Sequence, residues 1–139
     1  MTAKEAINIL YTEATQENQT YSLDEVNQAK QKLEEIIMKF KKVFISQPMA
    51  NKTNEEIKAE RKQIEKAIEE KYGEGNYEIV DSFFENAPHD AKPLWFLGKS
   101  FELLSTADVC VFAKGWEDAR GCGMEHAACV NYGIKVWYF

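Results

Sequence analysis

The amino-acid sequence predicts a doubly wound α/β fold of about four parallel strands, in the order 2-1-3-4, preceded by a helical hairpin. Two observations lead there. From residue 41 onward, short near-continuous apolar runs alternate with segments of helical period, the pattern of strands buried on both faces and joined by right-handed helical crossovers. Residues 1–40 hold two amphipathic helical stretches and no strand-like run. The chain therefore divides into a hairpin extension, residues 1–40, and an α/β domain, residues 41–139.

Each element follows from local chemistry. Thr2 with Glu5, and Ser22 with Glu25, have capping-box spacing, in which a hydroxyl and a carboxylate three residues on satisfy the free amides of a helix start. The first helix should run to about Ala14 with Ile7, Leu10, Tyr11 and Ala14 on its stripe. The second should run to about Phe40 with Val26, Leu33, Ile36, Ile37 and Phe40, the polar stretch Thr15 to Thr20 linking the two. Val43-Phe44-Ile45 is too brief for a helix and reads as a buried strand, ended by Ser46-Gln47-Pro48. Thr53 and Glu56 form a third capping box, opening a helix to about Tyr72 with Ile57, Ile64, Ala67, Ile68 and Tyr72 on its stripe, closed by Gly73 and Gly75. Tyr77 to Asp81 is the second strand, and a loop with two aromatics that a mere connector does not need, Phe83 and Phe84, reads as a lid or a subunit contact and leads through Pro93 to a helix from Leu94 to about Ser105. Asp108 to Ala113 is the third strand, Gly121 to Tyr132 the last helix, and Ile134 to Tyr138 the fourth strand. With a flavodoxin-like strand order the first and third strands are neighbours where the winding reverses, and ligands bind beyond their carboxyl ends. Those ends are Ser46, Gln47, Pro48 and Met49, and Lys114 to Asp118.

Composition narrows the function classes. The chain has 139 residues, 45% hydrophobic and 29% charged, which suits a packed core and excludes disordered and collagen-like classes. Its net charge of −6 opposes a polynucleotide partner, since that binding depends on Lys and Arg neutralising phosphates. No apolar run approaches the roughly 18 residues of a membrane helix, and MTAKEAINIL does not read as a signal segment, so a cytoplasmic protein without a membrane partner is expected. Three cysteines, an odd and sparse set, suit a reducing compartment.

The segment after the third strand concentrates chemistry. Gly121 and Gly123 lie at a helix start, where free amides and the macrodipole favour an anion, and Arg120 precedes them as a phosphate-binding candidate. Trp116 is an aromatic able to stack on a flat ring. Glu125 lies about one turn into the helix, flanked at −3 and +4 by Cys122 and Cys129, a spacing that could turn it to the switch point, while a solvated helix residue is the plainer reading. Arg61, with Glu60, fills the gap in the stripe after Ile57, where an inward guanidinium could clamp a phosphate while a surface ion pair is the plainer reading. Cys122, His126 and Cys129 share a helix face but bring no fourth ligand, so no metal is expected; with no phosphate-loop lysine and no complete dinucleotide fingerprint, no cofactor is expected either.

Val43-Phe44-Ile45-Ser46-Gln47-Pro48-Met49, then Ala107-Asp108-Val109, then Gly115-Trp116 with Arg120-Gly121-Cys122 and Glu125, resemble in order and spacing the nucleoside 2-deoxyribosyltransferase superfamily, above all its phage- and bacteria-associated branch of unknown function. The likeness spans residues 41–139. It implies cleavage of a nucleoside or nucleotide N-glycosidic bond, by hydrolysis or transfer, with Glu125 attacking the anomeric carbon and Asp118 and Asp108 as supporting acids. Capture by a carboxylate beneath an oxocarbenium-like centre splits one hard step into two. The chain carries Phe44 where the transferases usually have a tyrosine, Ser100 in place of an acidic residue and Ala119 in place of a serine, which also fits a protein that binds a nucleotide without releasing its base. The hairpin adds a third reading, a module for homo- or hetero-oligomerisation, with a homo-oligomer expected.

Overall fold

The computed structural model describes residues 1–15 and 21–139, the side chains of 13–15 excepted. The expected hairpin link through Thr20, beyond Thr15, and the side chain of Ala14 lie outside the described residues. Two compact units result, Met1–Phe40 and Lys41–Phe139.

The first unit pairs α1 (Ala3–Thr15) with α2 (Leu23–Lys39). Both capping boxes form: Thr2 and Glu5 exchange hydrogen bonds of 2.7 and 3.2 Å, and Ser22 and Glu25 do the same. The buried seam holds Ala6, Ile9, Val26 and Ala29, flanked by Leu10, Tyr21 and Leu33. Ile7 and Tyr11, expected on the stripe, are instead 57% and 64% exposed. The small side chains of Ala6 and Ala29 let the helices approach along a line one position away from the larger residues.

The second unit is an all-parallel sheet in the order β2-β1-β3-β4, as the sequence predicts. Its elements are β1 (Lys41–Ser46), α3 (Asn54–Tyr72), β2 (Tyr77–Ile79), α4 (Pro93–Leu104), β3 (Val109–Phe112), a short 3-10 turn (Trp116–Asp118), α5 (Arg120–Tyr132) and β4 (Lys135–Tyr138). The register pairs Val43 with Val109 and Ser46 with Phe112, so β1 and β3 end level at the carboxyl edge. Alternation along each strand divides the core. Val43, Ile45, Val109 and Val111 pack with Ile64 and Ile68 of α3. On the opposite face Phe44, Cys110 and Phe112 pack with Leu104 of α4 and Cys129 of α5. The third capping box also forms, Thr53 and Glu56 bonding at 2.8 and 3.1 Å. Gly115 stands at φ +87°, a left-handed conformation that costs a residue with a Cβ, and it turns the chain from β3 into the 3-10 turn. Among the described residues no helix is long and apolar enough to cross a membrane.

Candidate functional site

Beyond the carboxyl edge of β1 and β3 lies a cavity of about 1060 Å³. Its wall is drawn from the loop after β1, the loop after β2, the first turns of α4 and the first turns of α5. Topology explains the convergence: where the winding reverses, helices diverge to opposite faces and leave a crevice.

Glu125 forms part of this wall and is only 7% exposed. Ser46 Oγ donates to its Oε2 at 2.5 Å, within the range of hydroxyl-to-carboxylate bonds. Burial pushes the Glu125 carboxyl above the usual carboxylate range, while the hydroxyls of Ser46 and Ser100 draw it back down. Phe44 and Ser46, two residues apart on one strand, face the same side, so Ser46 provides a hydroxyl toward the α5 carboxylate where Phe44 can provide none.

Other expected site residues divide clearly. Gln47, Pro48, Met49, Ser100, Asp118, Arg120 and Gly121 line the cavity together with Glu125. Gly123 follows in the same helix, outside the lining, its amide bonded to the Ala119 carbonyl at 2.9 Å. The first turn of α5 has neither a side-chain cap nor an acidic residue. A Cβ built on Gly121 or Gly123 meets nothing within 4 Å, so neither glycine is required by packing.

Three residues stand elsewhere. Trp116 does not face the cavity: its ring stacks on His126 at 4.1 Å and on Tyr138 at 5.7 Å, an intramolecular aromatic pile against Phe112. Asp108 lies at the amino end of β3, across the sheet from Glu125, where its carboxylate accepts the Lys42 amide at 2.8 Å and secures β1 to β3. Arg61 turns inward yet stays behind the wall. It is buried, its Nη2 donates to Ser82 Oγ at 3.0 Å and to the Val80 carbonyl at 3.4 Å, and burial lowers its pKa. Ser82 in turn donates to the Ile45 carbonyl at 3.1 Å, so Arg61 braces the start of the β2–α4 loop. Glu60 does not hold Arg61; its two oxygens take Gln47 Nε2 at 3.2 Å and Lys52 Nζ at 3.1 Å.

The cavity also contains residues that sequence reasoning did not assign to a site. Phe83, Phe84, Leu94, Phe96 and Leu97 form an apolar side, with Phe84 edge-on to Trp95 at 6.1 Å. The two loop aromatics were visible as unexpected in a connector; Phe96 and Leu97 were hidden in the apolar period of α4. Lys52 and Lys92 also line the cavity, and neither Lys92 nor Arg120 has an ion-pair partner among the described residues. Their position beside a strand end and a helix start was the available signal.

Cys122 lines the cavity, and burial pushes its thiol up to about 11. With His126 committed to the stack and bonded to Tyr138 Oη at 2.8 Å, Cys122, His126 and Cys129 do not assemble as ligands. Among the described residues no three His, Cys, Asp or Glu side chains could hold a metal ion. Compared with known proteins, the chain matches no family model, no curated protein and no solved structure.

Proposed function

We propose that the α/β unit binds a nucleoside or nucleotide in the cavity and cleaves or transfers its N-glycosidic bond, with Glu125 as nucleophile. The observation that carries this reading is the Glu125 carboxylate, buried in the cavity wall at the sheet's switch point and oriented by Ser46 Oγ at 2.5 Å. A carboxylate oriented by hydroxyl donors keeps a lone pair for the anomeric carbon, where positive charge develops. Asp118, which lines the same cavity, is the second carboxylate of this reading and would assist the leaving base or an incoming water. The resemblance of residues 41–139 to the nucleoside 2-deoxyribosyltransferases supports the same assignment.

The remaining lining fits the two ends of such a substrate. Phe83, Phe84, Phe96 and Met49 offer apolar surface to a base, a role Trp116 does not fill. Arg120, Lys92 and the uncapped first turn of α5 offer positive charge to a phosphate, in a chain whose net charge is −6. Three free cysteines suit a reducing, cytoplasmic setting. The test is incubation with a panel of nucleosides, deoxynucleosides and their 5′-monophosphates, followed by chromatography for free base. Release by the wild type and not by Glu125→Gln is the expected result; release at the same rate by both overturns the role of Glu125.

A second reading, nucleotide binding without turnover, is favoured by Phe44 standing where the resembling transferases carry a hydroxyl. It predicts that nucleotides raise the melting temperature of the wild type while no base is released.

A further inference from the structure

Gln47 is 5% exposed and stands just past β1, on the α3 side of the cavity. Its Nε2 donates to the Ile57 carbonyl at 2.9 Å and to Glu60 Oε1 at 3.2 Å. Both partners can only accept, so the orientation of the amide is fixed with its nitrogen toward α3. Glu60 is itself held, its other oxygen taking Lys52 Nζ at 3.1 Å. Gln47 Oε1, on the other side of the amide, is buried and has no hydrogen-bond partner. A residue serving only to brace α3 needs its nitrogen alone; a rigidly oriented acceptor left unpaired in a cavity wall is costly to keep and selective for what satisfies it.

We propose that Gln47 recognises the ligand of this cavity by accepting a hydrogen bond at Oε1 from an uncharged donor, a nucleobase N–H or a sugar O–H. The identification of the donor rests on the reading of the cavity as a nucleoside or nucleotide site. An anionic group is disfavoured at this point, because the amide oxygen and the neighbouring Glu60 carboxylate both present negative charge. Ser46 with Glu125 lies on the α5 side of the sheet edge and Gln47 on the α3 side, so the ligand is held from both faces of the sheet, its reacting carbon at one and its donor at the other. Oε1 is closed to solvent in this conformation, so the ligand must displace what covers this atom while the bonds to Ile57 and Glu60 hold the amide in place.

The experiment is isothermal titration calorimetry on the full chain with ligands differing by one donor. The base arm compares the 5′-monophosphates of 2′-deoxyadenosine and 2′-deoxycytidine with counterparts lacking the exocyclic amine, and thymidine 5′-monophosphate with its N3-methyl form. The sugar arm compares each nucleotide with its 3′-deoxy and 2′-hydroxy forms. Removal of one donor should weaken binding to the wild type about tenfold, the worth of one neutral hydrogen bond. Gln47→Met should bind that matched pair with equal affinity. Nucleotide binding with no pair separated by more than twofold overturns the role of Gln47 and leaves the site assignment standing, and this comparison needs only the wild type. Discrimination that survives in Gln47→Met also overturns it. Absence of binding by every probe overturns the nucleotide reading together with the proposal.

Discussion

Ser46 and Glu125, 79 residues apart in the chain, meet in a hydrogen bond of 2.5 Å at the carboxyl edge of the sheet. One closes β1 and the other lies on the buried face of α5, so the bond joins the strand and the helix that form the crevice. The pair also makes the proposed chemistry dependent on a residue with no reactivity of its own. Ser46→Ala removes a hydroxyl donor from a buried carboxylate and should cost about 1–3 kcal/mol of stability, measured by urea unfolding. In a double-mutant cycle with Glu125→Gln the two effects on stability should be clearly non-additive.

Stability should also depend on pH through Glu125. Burial raises its carboxyl pKa in the folded state, so between the unfolded value of about 4.3 and the raised value the native protein binds more protons than the unfolded chain. The contribution is therefore full below the unfolded value and is lost as pH rises through the folded one. Glu125→Gln removes this dependence. Its melting temperature should change less than that of the wild type across the same window and should be the higher of the two at neutral pH.

Gly121 separates stability from binding. In the first turn of a helix glycine is worth roughly 0.5–1 kcal/mol less than alanine, and a Cβ here meets no protein atom within 4 Å. Gly121→Ala should raise stability by about that amount and weaken nucleotide 5′-monophosphate binding, both followed by thermal denaturation with and without ligand.

Cys122 sits near a helix start, where thiols are often acidic, but burial dominates and pushes it up to about 11. It should react slowly with a thiol-directed chromogenic disulfide at pH 8 in the native state and promptly in denaturant. Rapid native labelling at Cys122 would contradict the placement of this thiol in a closed wall.

The legible parts of this protein were local or periodic. All three capping boxes, Thr2 with Glu5, Ser22 with Glu25 and Thr53 with Glu56, form because each needs only residues three apart. Strands alternating with helices imply a parallel, doubly wound sheet, and the observed order 2-1-3-4 is the flavodoxin-like one among the orders that this pattern allows. Glu125 was only half legible: its flanking cysteines, Cys122 and Cys129, allow an inward face, but a helical glutamate reads more plainly as solvated, and the structure buries all three on one face of α5. The illegible parts depend on distant neighbours. Trp116 looked like a base-stacking residue because an aromatic in a loop announces nothing about His126 and Tyr138, which occupy its face. Asp108 sits at the amino end of its strand, where a hydrogen bond to the Lys42 amide 66 residues away occupies it. Arg61 read more plainly as a surface residue, and the Ser82 hydroxyl that draws it inward lies 21 residues on.

The most direct measurement is peptide mapping by mass spectrometry after acid quench of the wild type during turnover of a nucleoside or nucleotide. A glycosyl adduct on the peptide carrying Glu125, absent from Glu125→Gln, is the predicted result. Base release with Glu125 unmodified, and undiminished in Glu125→Gln, would contradict a glutamate nucleophile at this site.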